Sequence, residues 1–109
     1  AGFSQGGLVV LHAALHSKKR IAGVLALSTY YPPECWKQPA ATNEYQTAVF
    51  MAHGNFDPVI PLAVAEKSKA FIQGLGLQVE WKTYPMEHSL CMPEIEDISN
   101  WLATHLLTD

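Results

Sequence analysis

Gly2-Phe3-Ser4-Gln5-Gly6 fits the pattern G-x-S-x-G, in which a serine occupies a tight strand-to-helix turn and flanking glycines relieve crowding around its strained backbone. Such a turn presents a hydroxyl at a helix N-terminus. It becomes a nucleophile once a base takes its proton and a carboxylate fixes the tautomer of that base. The chain supplies one candidate for each role in the order Ser, Asp, His. Asp57 lies in Gly54-Asn55-Phe56-Asp57-Pro58 and His88 in Tyr84-Pro85-Met86-Glu87-His88. Taken singly, each has a plainer reading: Asp-Pro after a strand is a common turn former, His88 is a loop histidine, and Ser4 is a serine in a glycine-rich turn. Their joint order favours the catalytic reading. Gly6-Gly7 opening an apolar helix runs against helix propensity, so close backbone approach is expected there. Glu87 is a poorer partner for His88, because sequence neighbours seldom face each other well.

Other residues with chemical potential fit structural roles better. His12 and His16 stand four apart on one helix face, as a zinc pair would, yet no Glu lies between them as H-E-x-x-H requires. No third ligand is near, and no metal is expected. His53, before Gly54, is expected to support the Asp57 turn as a structural donor, and His105 to lie on the surface. Trp36, Trp81 and Trp101 are expected to pack, with Trp36 also a candidate to line a substrate pocket. Cys35 and Cys91 lie far apart without CxxC spacing and read as ordinary thiols.

The elements must bring Ser4, Asp57 and His88 together. Residues 8–16 are rich in Leu, Ala and Val and predict a helix, with Lys18-Lys19-Arg20 placing cations at its C-terminus. Residues 21–28 form a short apolar run ended by Tyr30-Tyr31-Pro32-Pro33 and predict a buried strand. Residues 29–47, with prolines at 32, 33 and 39, predict an irregular loop. Residues 48–53 are a second apolar run, as expected of a parallel strand covered on both faces. Residues 61–75 predict a helix with a stripe of Leu62, Ala65, Lys69 and Ile72, stopped by Gly74 and Gly76. Residues 78–84 alternate through Val79, Trp81 and Thr83, the pattern of a strand near a sheet edge. Residues 93–107 predict an amphipathic helix with Ile95, Ile98, Trp101, Leu102 and Leu106 on one side. This order fits parallel βαβ units and a three-layer αβα sheet fold. Asp57 and His88 then each follow the C-terminal end of a strand, where open α/β sheets place their functional groups.

Composition sets the outer limits. A chain of 109 residues with 49% hydrophobic positions has material for one core and one domain. The net charge is -3 with charged residues scattered, so no basic stripe exists to track a phosphate backbone, and nucleic acid is excluded as the expected partner. No run approaches the roughly 18 apolar residues that span a bilayer, so a soluble chain without stable membrane insertion is expected. Ala1-Gly2 carries no initiator methionine and enters at once a motif that normally follows a strand. A preceding N-terminal segment is therefore expected, and any signal peptide would have belonged to it.

Four segments in sequence, AGFSQGG, LALSTYYP, HGNFDPVIP and YPMEHSLCMPEIEDISNWL, resemble the carboxylesterase and acyl-protein thioesterase family, also called the phospholipase/carboxylesterase family. The resemblance covers essentially the whole chain, residues 1–109, as the C-terminal part of one α/β-hydrolase domain. It implies a triad of Ser4, Asp57 and His88, with the backbone N–H of Gln5 in the oxyanion hole. It also implies hydrolysis of a small acyl ester or thioester without metal or organic cofactor, in the cytoplasm. The family's N-terminal half, with the loop that supplies a second oxyanion donor, has no counterpart here. Loss of one such donor typically costs about a hundredfold to a thousandfold in turnover, so a weakly active or inactive chain is expected. The strand at residues 21–28 should then have an open apolar edge, prone to self-association. Three functions stay in play: a serine carboxylesterase for short or medium acyl chains, a thioesterase or lysophospholipase acting on acylated partners, and a non-catalytic interaction fragment.

Overall fold

Period-two alternation along the strands assigns each apolar side chain to one of two faces, and those faces determine which helix packs where. The computed structural model describes residues 1–17, 21–36 and 47–106. Its elements are β1 (Gly2–Phe3), α1 (Gln5–His16), β2 (Gly23–Leu27), a 3-10 turn at Pro33–Cys35, β3 (Ala48–Gly54), α2 (Leu62–Gly74), β4 (Val79–Tyr84) and α3 (Met92–Leu106). The strands form one parallel sheet in the order β1-β2-β3-β4. Val24, Ala26, Val49 and Met51 point to one face, where Leu11, Ala14 and Leu15 of α1 and Ile72 of α2 cover them. Leu27, Ala48, Phe50, Ala52 and Tyr84 point to the other, where Trp101 of α3 covers them. A three-layer αβα arrangement results. β3 is buried along all seven residues, which is why its sequence is a continuous apolar run with no polar alternation.

β1 pairs with β2 only at Gly2↔Ala26 and Phe3↔Leu27, whereas β3 pairs with β2 from Gly23 to Leu27. The first three residues of β2 thus have a strand on one side only, among the described residues.

Several boundaries differ from the sequence reading. α1 starts at Gln5, three residues before the expected start at 8, because the turn at Ser4 launches the helix directly despite Gly6 and Gly7. The cations expected at its C-terminus, Lys18-Lys19-Arg20, lie outside the described residues, as do residues 37–46 of the expected loop. β2 ends at Leu27 because Ser28 turns into the left-handed region at φ 50°. In α2, Ser68 joins Ala65 and Ile72 on the buried side, and Lys69 lies half-buried with Nζ 5.4 Å from the centre of the Trp81 ring. In α3 the inward face is rotated from the expected stripe: Glu94 is fully buried and Ile95 is 46% exposed.

Candidate active site

Ser4 has φ 57° and ψ -122°, a backbone conformation that disfavours a residue with a Cβ, costs about 1–3 kcal/mol and persists only where its surroundings enforce it. Four hydrogen bonds do so. Ser4 N–H donates to Leu27 O at 2.9 Å, extending the β1–β2 ladder. Its carbonyl accepts from Gly7 N–H at 2.9 Å and Leu8 N–H at 3.4 Å, which starts α1, and from the Thr29 hydroxyl at 2.6 Å. The glycines make the turn sterically feasible. A Cβ on Gly2 would stand 2.2 Å from Gly6 O, and one on Gly7 would stand 2.6 Å from the Thr29 side chain. A Cβ on Gly6 would meet nothing within 4 Å, so close approach accounts for Gly7 and Gly2 but not for Gly6.

Asp57 and His88 follow β3 and β4. The Asp57 carboxylate is fully buried and uses both oxygens. Oδ1 accepts from the backbone N–H of Val59 at 2.8 Å and of Ile60 at 2.9 Å, forming a side-chain-closed turn. Oδ2 lies 2.7 Å from His88 Nδ1. On the other side of the ring, His88 Nε2 lies 2.9 Å from Ser4 Oγ. A carboxylate can only accept, so Nδ1 carries the proton and Nε2 is left to accept from the Ser4 hydroxyl. Burial by itself would raise the Asp57 carboxyl, but the Ile60 N–H, the His88 ring and the Val59 N–H outweigh it and hold the group below the usual carboxylate range. It is therefore ionised at neutral pH. His53, fully buried, donates from Nε2 to Ile60 O at 2.7 Å and stands 3.5 Å from Asp57 Oδ2, bracing the turn as expected.

The two loops are fastened to each other. Asn55 N–H donates to Tyr84 O at 2.9 Å and Phe56 N–H to Met86 O at 3.1 Å. Ser28, fully buried, donates to Ser89 O at 3.3 Å, linking the end of β2 to the residue after His88. Phe3 packs against the His88 ring at 4.9 Å. Beyond them, Glu94 accepts from Cys91 N–H at 3.3 Å and its other oxygen is buried without a partner. Burial raises its carboxyl against the lowering effect of that N–H, which favours the neutral acid.

A cavity of about 510 Å³ opens beside Ser4, with Phe3, Leu8, Tyr30, Val59 and Ile60 as apolar walls and Gln5 at its rim. Gln5 is the first residue of α1, where the opening N–H groups of a helix have no carbonyl one turn earlier. Trp36 lines none of this space: it stacks flat on Phe71 at 4.7 Å and donates to Tyr31 O at 2.8 Å. Trp101 packs on Phe50, and Trp81 lies parallel to His53. His105, expected at the surface, is half-buried against Trp101 at 4.9 Å. His12 and His16 stack on each other, and His16 Nδ1 bonds to His12 O at 2.9 Å. Among the described residues no group of three potential metal ligands assembles. Sequence reasoning missed Ser28, Thr29 and Glu94. Only the backbone donors to Asp57 had a readable signal, since an Asp two residues before a free N–H is the pattern of an Asx turn.

The family model described as phospholipase/carboxylesterase matches residues 1–106. Among curated proteins, the chain is 36% identical over 111 residues to acyl-protein thioesterase 1 of Neurospora crassa, covering 96% of this chain and 44% of that protein. It is 39% identical over 107 residues to acyl-protein thioesterase 1 of Mycosarcoma maydis, covering 93% and 45%. Its fold matches the crystal structure of Arabidopsis thaliana SOBER1 with a TM-score of 0.83 at 27% identity, over 96% of this chain and 51% of that one. It also matches the Bacillus cereus carboxylesterase with a TM-score of 0.84 at 22% identity, over 96% and 48%, a likeness of fold. The chain spans less than half the length of these two curated relatives.

Proposed function

The chain belongs to the phospholipase/carboxylesterase family of α/β-hydrolases, and from that premise we propose that it acts as a serine hydrolase on carboxylic esters of short or medium acyl chains, through an acyl-enzyme on Ser4. The observation that carries this reading is the unbroken line of hydrogen bonds from Asp57 through His88 to Ser4 Oγ. Ser4 Oγ attacks the acyl carbon while its proton passes to His88 Nε2, and Asp57 stabilises the imidazolium that results. The oxyanion that develops is met by the N–H of Gln5 at the start of α1. His88 returns its proton to the departing alcohol. Water, deprotonated by His88 in turn, then attacks the acyl carbon, and as the Ser4 Oγ–acyl bond breaks and the acid leaves, His88 returns that proton to Ser4 Oγ. Every proton and electron pair is accounted for by the substrate, water and these residues, with no metal or organic cofactor in the scheme.

The apolar walls of the cavity suit an acyl chain. A second reading, a thioesterase acting on acylated proteins, is favoured by the names of the two fungal relatives. Both chemistries use the same three side chains, so turnover of matched ester and thioester substrates separates them. A cytoplasmic location is part of the proposal and rests on the family resemblance. Among the described residues, no helix is long and apolar enough to cross a membrane.

The test is covalent labelling of the folded chain with a fluorophosphonate, mapped by mass spectrometry. Labelling at Ser4 that is lost in Ser4→Ala and in His88→Ala is the expected result. A chain that melts cooperatively yet takes no label would favour the non-catalytic reading and overturn this one.

A further inference from the structure

Thr29 is 2% exposed, and its hydroxyl donates to the Ser4 carbonyl at 2.6 Å. That carbonyl belongs to the same planar amide as the Gln5 N–H, because the partial double bond between Ser4 C and Gln5 N locks their atoms into one rigid unit. Fixing the oxygen therefore fixes the direction in which the N–H points. Donation to the oxygen also draws electron density from the nitrogen and makes the N–H a stronger donor, as hydrogen bonds in series do. The amide needs such fixing. It sits at a residue with a strained backbone, and the helical donors to the same oxygen are Gly7 N–H at 2.9 Å and Leu8 N–H at a longer 3.4 Å. The Thr29 methyl is held in turn by α1, since it occupies the space that a Cβ on Gly7 would need.

Resting on the serine-hydrolase reading above, we propose that Thr29 is a positioning residue: through the Ser4–Gln5 amide it orients and polarises the N–H that stabilises the oxyanion. Thr29 borders the cavity beside Ser4 but is 2% exposed, and its hydroxyl is spent on the Ser4 carbonyl, so it acts through the amide. Its contribution appears only as negative charge develops, so it raises the rate of the covalent step and leaves ground-state binding unchanged.

Fluorophosphonate labelling measures that step. Ser4 Oγ forms a bond to phosphorus, fluoride leaves, the hydroxyl proton passes to His88, and the phosphoryl oxygen takes the place of the oxyanion. Thr29→Val keeps the shape and the methyl but removes the donor, whereas Thr29→Ser keeps the donor. Labelling rates over a range of probe concentrations separate the maximal rate from the half-saturating concentration for wild type and both variants. The amide nitrogen shift of Gln5, read by NMR on the same proteins, reports whether its carbonyl partner has lost a donor. Thr29→Val is expected to lower the maximal rate by about tenfold, as befits a donor misaimed and not removed. Its half-saturating concentration should stay unchanged and its Gln5 nitrogen resonance should move. Thr29→Ser should restore both rate and resonance. Equal maximal rates in wild type and Thr29→Val, or no recovery in Thr29→Ser, would overturn the proposal and leave the serine-hydrolase reading standing. A folded wild type without label would overturn both.

Discussion

Asp57 divides its two oxygens between two tasks, and its substitution can therefore separate them. Oδ1 closes the turn onto Val59 and Ile60, while Oδ2 faces His88. Asp57→Asn retains an oxygen for the turn but offers His88 an amide that no longer imposes the tautomer. Labelling at Ser4 should fall by about ten-thousandfold while the thermal melt keeps its cooperativity, as circular dichroism would show. The pH dependence follows from the depressed carboxyl. Because the folded state holds the proton more weakly than the unfolded state, this group stabilises the fold fully above its ordinary value of about 3.9. That stability is lost as pH falls through the lower folded value. Melting curves of wild type should thus weaken with acid below about pH 4, and Asp57→Asn should show a shallower acid slope. The same residue shows how far the sequence could be read. Turn former and partner of His88 are competing readings of Asp57 in the sequence, and the one carboxylate makes both sets of contacts. Thr29 and Glu94 were not legible, because their roles come from neighbours distant in sequence: the Ser4 carbonyl for one, and burial of a first-turn glutamate for the other. A glutamate opening a helix ordinarily reads as an exposed partner of the helix dipole.

At the scale of elements, the exits of β3 and β4 determine where His88 stands relative to Asp57. A Cβ on Gly54 would lie 2.2 Å from Glu87 O and 2.3 Å from Met86 O, both main-chain atoms that cannot swing aside. Gly54→Ala should push the His88 loop away from Asp57, destabilise the fold by about 1–3 kcal/mol through overpacking, and slow labelling about a hundredfold. Gly74→Ala, where an added methyl meets nothing within 4 Å, is the control and should leave both unchanged or slightly raise stability. Rate measurements on the two variants decide the matter. Element types were legible in the runs that burial imposes: β3 is apolar from Ala48 to Ala52 because both its faces are covered, α1 is rich in Leu, Ala and Val, and α2 turns Ala65 and Ile72 inward. Their edges were less legible where tertiary geometry overrode propensity. α1 begins among glycines because the strained turn starts it, and α3 turns Glu94 inward because its first turn caps itself through Cys91.

Among the described residues the strands form one parallel sheet with β1 at one side. β1 supplies partners for the last two residues of β2 alone, and Phe3 beside that edge is 39% exposed. We propose that the chain self-associates through this edge, since unpaired strand groups next to apolar surface are a template for pairing. Sedimentation velocity should show a sedimentation coefficient that rises with concentration, and a single monomeric species across the range would contradict it. Parallel pairing and layering were legible from the alternation of strands and helices, which leaves few topologies open. The placing of the three side chains along the sheet also bears on time. Asp57 and His88 follow neighbouring parallel strands, 31 residues apart, whereas His88 and Ser4 meet across 84. Closing the longer loop costs about 0.9 kcal/mol more in chain entropy, and contacts distant in sequence form late. In a chain recovering from denaturant, Asp57 and His88 would find each other first, and the contact between His88 and Ser4 would be the last to return.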